Sequence, residues 1–290
     1  FTYTCFNFYN TIYLTLLQAK GKFRSYSFAT TLNEFSVAVF VYPLSVLIDV
    51  TGLVVSRIIG VLSITFAYVL PMNKQNEGYE IELKRKDFNI PTLILGNFAN
   101  IILLSSRFIS GADGGINITY FTYSIFILNV LLTTVVGNIS TLLLRKVSIK
   151  KNTNFMLYSL VISFLMGIGL VLGLEYFGFR LIQLIFMRGE FNLVDVEKTT
   201  IFIKQLSYSF ILIFISTTLF QPFFSLNIKK SRIVRKRISL IFISTIIFGF
   251  LLSWFLNFDV KYESLIMMYF SSFISVILSL YSYIYYLNNN

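Results

Sequence analysis

The chain has no histidine, and its only cysteine is Cys5. Imidazole catalysis, histidine-held metals and a disulfide within the chain are therefore excluded. Charge is scarce too, since 13% of the 290 residues are charged, whereas a soluble domain carries about a quarter. What the chain has instead is 56% hydrophobic residues and a mean hydropathy of +0.75. This composition predicts an all-α polytopic membrane protein, and we expect no enzyme activity, cofactor or metal site.

The apolar residues are grouped into long segments. A membrane-spanning helix needs about 20 apolar residues, and about nine segments meet this need. They are 1–18, 27–48, 51–71, 90–110, 117–144, 154–174, 199–226, 238–256 and 264–285. A short helix lying at the outer interface is expected over 177–187. The longest polar stretch, 73–89, predicts a cytoplasmic linker between a partial lobe of three helices, 1–72, and a lobe of six helices, 90–290.

The basic residues occupy alternate loops. Most of the 24 lie after the first, third, fifth and seventh segments, for example Lys20, Lys84, Arg145 and Arg232. Basic loops mark the cytoplasmic side of a membrane, so the N-terminus is predicted outside and the C-terminus inside. The same spread over short loops argues against a nucleic-acid partner and favours membrane lipids.

A polar turn between two apolar segments, residues 185–198, carries the most specific motif, which is Arg188, Gly189, Glu190 and Phe191. Gly189 permits a tight turn, and Asn192 or Asp195 is predicted to cap the following helix. This motif resembles the turn after the ninth helix of MurJ-type (MviN) lipid II flippases.

Three further stretches resemble the same family, in the same order. They are Gly21 to Asn33, Ser106 to Tyr123, and Leu142 to Ser148. The resemblance covers nearly the whole chain and places its nine segments on helices four to twelve, so three preceding helices are expected to be missing. It implies the two-lobed exporter fold of the multidrug/oligosaccharidyl-lipid/polysaccharide superfamily in a bacterial inner membrane. The implied substrate is a lipid-linked sugar pyrophosphate such as a peptidoglycan precursor, moved by alternating access.

Charged residues within spanning segments are costly and become candidate functional residues. They are Glu34, Arg57, Arg107 and Lys204. The cations offer charge-assisted hydrogen bonds to a pyrophosphate, or they extend to the lipid headgroups. The amides Asn100 and Asn129 are candidates for sugar contacts, with hydrogen bonding between helices as the alternative.

Other functions remain open from the sequence. An O-antigen or capsule repeat-unit flippase uses the same fold. A cation-coupled drug exporter is expected to carry intramembrane carboxylates, and Glu34 is the one available within the segments. A membrane enzyme is expected to have a large external loop, which this chain lacks. An inactive fragment is the remaining alternative.

Overall fold

The computed structural model describes residues 2–19, 23–48, 50–71, 89–112, 116–132, 143, 153–187, 191–226, 228–256 and 259–289. Within these ranges the chain forms ten α-helices, one π-helical turn and no strand. The helices are α1 (Thr2–Ala19), α2 (Phe23–Ile48), α3 (Val50–Ile64), α4 (Ile90–Gly96), α5 (Phe98–Ser110), α6 (Ile116–Leu131), α7 (Thr153–Phe186), α8 (Leu193–Ser225), α9 (Ile228–Leu256) and α10 (Val260–Asn289). The π-helical turn, Thr65–Val69, continues α3.

Six helices in the described ranges are long and apolar enough to cross a membrane, or up to seven if α4 and α5 form one bent span. The six are α2, α3, α7, α8, α9 and α10. The protein therefore has the all-α architecture of a membrane protein. Each of the nine predicted segments overlaps a helix, but α1 and the shorter apolar helix α6 are not among the six. Much of the predicted segment 117–144 lies outside the described residues.

The predicted segment 90–110 is not one straight helix. α4 and α5 meet at Asn97 with a bend of 69°. The backbone of Asn97 has φ −110° and ψ 16°, which is outside the helical region. Its side-chain amide donates to the carbonyl of Leu93 at 2.9 Å. The Leu93 carbonyl also accepts from the backbone N–H of Asn97 at 3.1 Å, and the same N–H lies 3.2 Å from the Ile94 carbonyl. A side-chain bond of this kind often bends a helix, and here the bend comes at the residue that makes it.

The short interfacial helix predicted over 177–187 is wrong. Residues 177–186 continue α7 without a break, and α7 has 34 residues in total. Hydropathy falls around Arg180 and Gln183, but the backbone hydrogen bonds of a helix do not depend on side-chain polarity. The hydropathy pattern therefore places the end of this helix too early.

The chain divides into two compact units, Phe1–Lys84 and Arg85–Asn290. In the first unit α2 packs along α3, and α1 packs against both. The buried Asn10 of α1 donates to the carbonyl of Val61 at 2.8 Å and accepts from the Thr65 hydroxyl at 2.9 Å. Because a buried amide is costly without partners, these bonds fix α1 against the end of α3.

In the second unit α8 is the central helix and packs against α6, α7 and α10. Small hydroxyl side chains line these contacts. Ser216 and Ser275 share a hydrogen bond of 3.0 Å between α8 and α10, and Ser163 and Thr218 share one of 2.7 Å between α7 and α8. Small residues and hydroxyl hydrogen bonds are typical of contacts between membrane helices. α5 packs on α10, and α9 packs on α10 and α4.

Candidate functional site

Arg57 lines a small polar recess in the first unit. The recess has a volume of about 60 Å³, and its other lining residues are Tyr3, Asn33 and Val37. α3 supplies Arg57, α2 supplies Asn33 and Val37, and α1 supplies Tyr3. α2 and α3 approach closely here, because a Cβ added to Gly60 would lie 2.6 Å from Val37 Cγ2 and 2.7 Å from Asn33 Oδ1. The lack of a side chain at Gly60 therefore allows the two helices to approach closely beside the recess.

The Arg57 guanidinium has no ion pair or hydrogen bond with any described residue, and its side chain is exposed. It lies on a candidate spanning helix, Thr51–Val69. A guanidinium in such a segment is expensive unless it meets an anion or reaches water. The recess beside it has room for a few waters or one small polar group. Glu34 lies on α2 next to Asn33, but its side chain falls outside the described residues.

Arg107 and Asn100 both lie on α5 and are exposed. Arg107 is in the last turn of the helix, and its guanidinium contacts no carboxylate in the described ranges. Its neighbour Ser106 is fully buried, with its hydroxyl 3.7 Å from the sulfur of Met268 on α10. Ser106 thus faces the helix packing while Arg107 faces away from it. Asn129 is half-buried near the end of α6.

Lys204 is paired, which its sequence position alone did not reveal. Its Nζ lies 2.9 Å from a carboxylate oxygen of Glu175 on α7. The two side chains are 30% and 41% exposed, so the pair is partly screened by solvent. Lys204 also lies beside Gly178 of α7. The side chain therefore forms an ion pair with a carboxylate of the neighbouring helix.

The spacing about the turn is a sequence signal for this pair once α7 and α8 are known to pack together. α7 and α8 are antiparallel and joined by residues 187–192, and Glu175 and Lys204 are almost equidistant from Gly189. Gly167 and Ile211 are likewise equidistant and lie in contact. Arg107 belongs to α5 and Lys204 to α8, and both of these helices pack on α10 and α6. Arg57 lies in the other unit.

The motif residues Arg188, Gly189 and Glu190 lie outside the described residues. Phe191 is described, and its ring contacts those of Tyr123 and Phe186, with centroids 5.3 Å and 6.0 Å away. The predicted helix cap is confirmed. The Asn192 side chain accepts from the backbone N–H groups of Val194 and Asp195, and the Asp195 carboxylate accepts from the N–H of Asn192 at 3.0 Å. This reciprocal capping box satisfies N–H groups that begin α8.

Asp195 has a second contact that the sequence reading missed. The Tyr120 hydroxyl on α6 donates to Asp195 Oδ1 at 2.8 Å. One turn further on, the Ser124 hydroxyl donates to the carbonyl of Thr199 at 3.2 Å. The same carboxylate thus caps α8 and fixes α6 beside it. These contacts give the start of α8 a structural role.

Comparison with known proteins finds no matching family model, no matching curated protein and no matching solved structure. The resemblance to the flippase family therefore rests on the residues quoted from the sequence.

Proposed function

We propose that the protein is a flippase that moves a lipid-linked sugar or peptidoglycan precursor across a bacterial inner membrane by alternating access. The observation that supports this most directly is the setting of Arg57. Its guanidinium is unpaired within the described part of the chain and opens on a polar recess between apolar helices. A planar cation with several donors suits a phosphate or pyrophosphate group.

Arg107 adds a second cation of the same kind. It lies in the last turn of α5, ten residues after the bend at Asn97, and has no carboxylate partner in the described ranges. Lys204 contributes less to this proposal because Glu175 already neutralises it. The candidate phosphate contacts are Arg57 in the first unit and Arg107 in the second, each considered by itself. The candidate sugar contacts are Glu34 in the first unit, and Asn100 and Asn129 in the second.

A transport assay tests the proposal. Proteoliposomes containing the full chain and a fluorescent polyprenyl-pyrophosphate disaccharide are treated with a reagent that destroys fluorescence in the outer leaflet. Wild-type protein is expected to expose inner-leaflet lipid faster than empty liposomes do. Arg57→Gln is expected to reduce the rate about tenfold or more, since hydrogen bonds to charged groups contribute roughly 1.5–3 kcal/mol and about 1.4 kcal/mol is a factor of ten.

Arg180→Gln is the matched control, because Arg180 is an exposed arginine on α7 that the proposal does not use. It is expected to transport at the wild-type rate. Wild-type protein that behaves like empty liposomes would refute the flippase function for this lipid. Normal transport by Arg57→Gln would instead refute only the role of Arg57 and its recess in binding the substrate. Repeating the assay with a lipid-linked O-antigen repeat unit separates the two flippase classes.

A further inference from the structure

The first turns of α9 carry a dense run of positive charge. Between Ile228 and Ile238 the sequence has six basic residues and no acidic residue, and these are Lys229, Lys230, Arg232, Arg235, Lys236 and Arg237. From the sequence alone, the six basic residues cannot be distinguished by their exposure. The structure separates them, since Arg235 is 1% exposed whereas Arg232, Lys236 and Arg237 are exposed.

Arg235 points into the protein and is occupied there. Its guanidinium donates to the carbonyls of Phe223 and Leu226 at 3.1 and 3.0 Å, and to the Thr92 hydroxyl at 3.2 Å. The carbonyls belong to the C-terminal end of α8, where carbonyl groups lack helical partners and the helix dipole is negative. Arg235 is therefore a structural cap and is not available to an external ligand.

The three exposed cations have no comparable partners among the residues that the structure describes. No carboxylate forms an ion pair with Arg232, Lys236 or Arg237 in the described part of the chain. Arg232 and Lys236 are four residues apart and repel each other on the helix surface. Positive charge at the start of a helix also opposes the helix dipole. The cluster is thus electrostatically unfavourable by itself, and an anion from outside these ranges would relieve it.

The position of the cluster along α9 indicates where that anion is. The exposed face that carries Arg232, Lys236 and Arg237 continues as Leu240, Ile241, Ile247, Phe248 and Leu251, all exposed. It ends at Trp254, which is 83% exposed. Arg237 and Trp254 are separated by about 26 Å along the helix at roughly 1.5 Å per residue, close to the roughly 30 Å of a bilayer core. Tryptophan is enriched at membrane interfaces. The exposed face of α9 therefore has the length and composition of a membrane-spanning surface, with the basic residues at one membrane–water interface and Trp254 at the other.

We propose that Arg232, Lys236 and Arg237 form a binding surface for the headgroups of anionic phospholipids. The occupant is a phospholipid because the basic patch passes directly into an exposed apolar face on the same helix, which suits acyl chains. Basic patches next to spanning helices attract anionic lipids in this way. This surface is independent of the proposed transport function and of Arg57.

The experiment uses the purified full chain in neutral detergent micelles with added phosphatidylglycerol or phosphatidylcholine. The double variant Arg232→Gln, Lys236→Gln is compared with Arg180→Gln, Lys198→Gln, which removes two exposed cations elsewhere. Thermal unfolding and native mass spectrometry report stabilisation and bound lipid. Phosphatidylglycerol is expected to raise the unfolding temperature of wild type and control, and the Arg232, Lys236 variant is expected to bind it roughly tenfold or more weakly. Salt is expected to reduce the effect.

Two results would overturn the proposal. One is an equal response of both double variants to phosphatidylglycerol. The other is a wild-type chain that does not respond, but responds once Glu77, Glu80, Glu82 and Asp87 are replaced by glutamine. That result would mean that the chain's own carboxylates, which lie outside the described residues, already neutralise the cluster.

Discussion

Arg235 joins three helices at one point. It belongs to α9 and donates to the carbonyl end of α8 and to Thr92 of α4. Its guanidinium also lies over the ring of Phe223, with a distance of 5.4 Å to the centroid. A planar group with five donors can serve several acceptors at once, which a lysine ammonium cannot do with the same geometry. The shape of the group explains how an arginine can be fully buried here with no carboxylate partner among the described residues.

Replacement of Arg235 is expected to destabilise the fold. Arg235→Gln leaves carbonyls at the end of α8 without their donor, and an unsatisfied buried group costs about 1–3 kcal/mol. We expect a lower unfolding temperature in detergent, measured with and without added lipid. Arg232→Gln is the matched control and should not lower the unfolding temperature in neutral detergent, since it removes only an exposed charge that Lys236 repels. Equal stability of Arg235→Gln and wild type would contradict the capping role.

At the scale of elements, the glycines are of two kinds: some lie where two helices are in close contact, and others have open space beside them. A Cβ on Gly52 of α3 would lie 2.4 Å from backbone atoms of Leu44 on α2. A Cβ on Gly167 would lie 3.0 to 3.2 Å from Ile211 on α8. Gly169 and Gly173, on the same helix as Gly167, have no atom within 4 Å of that position. Only some glycines of α7 therefore contribute to packing, although the sequence presents them as one group.

The two kinds of glycine should respond oppositely to alanine. Gly52→Ala is expected to lower the free energy of unfolding by about 1–3 kcal/mol, because backbone atoms of Leu44 cannot move aside easily. Gly173→Ala is expected to be neutral or to stabilise by up to about 1 kcal/mol, because alanine is the better helix former. Unfolding in detergent with increasing denaturant measures both. Destabilisation by Gly173→Ala as large as that by Gly52→Ala would contradict this assignment.

At the scale of the whole molecule, orientation in the membrane is the main testable property. Alternating basic loops predict that the start of α9 is cytoplasmic and that Asp259, between α9 and α10, is external. The native Cys5 is exposed, so it must first be replaced by serine. In that background Asp259→Cys is expected to react with a membrane-impermeant maleimide in intact cells, and Arg232→Cys is expected to react only after the membrane is opened.

Both positions are exposed and lie at opposite ends of α9, so side-chain burial does not bias the comparison. The reverse pattern would overturn the predicted orientation. Reaction of both positions in intact cells would show instead that α9 does not cross the membrane.

Hydropathy located the helices well but not their ends. The segments predicted at 199–226 and 238–256 correspond to α8, Leu193–Ser225, and α9, Ile228–Leu256. Both helices begin earlier than predicted because polar residues can occupy a helix once its first N–H groups are satisfied, as Asn192 does for α8. The bend at Asn97 was missed because one amide contributes little to an average over 20 residues. The assignment of nine spans to an exporter fold stays a prediction.

The sequence by itself determined the helical class, the apolar segments and the cap at Asn192, because composition, periodicity and capping chemistry are local properties. Only the tertiary structure decided which charged side chains are buried or paired and which are exposed. Arg235 is buried among carbonyls while Lys236 beside it is exposed, and Lys204 is paired with Glu175 while Arg57 opens on a recess. The reason is that the environment of a charged side chain depends on the neighbouring helices, which residues far away in the chain supply.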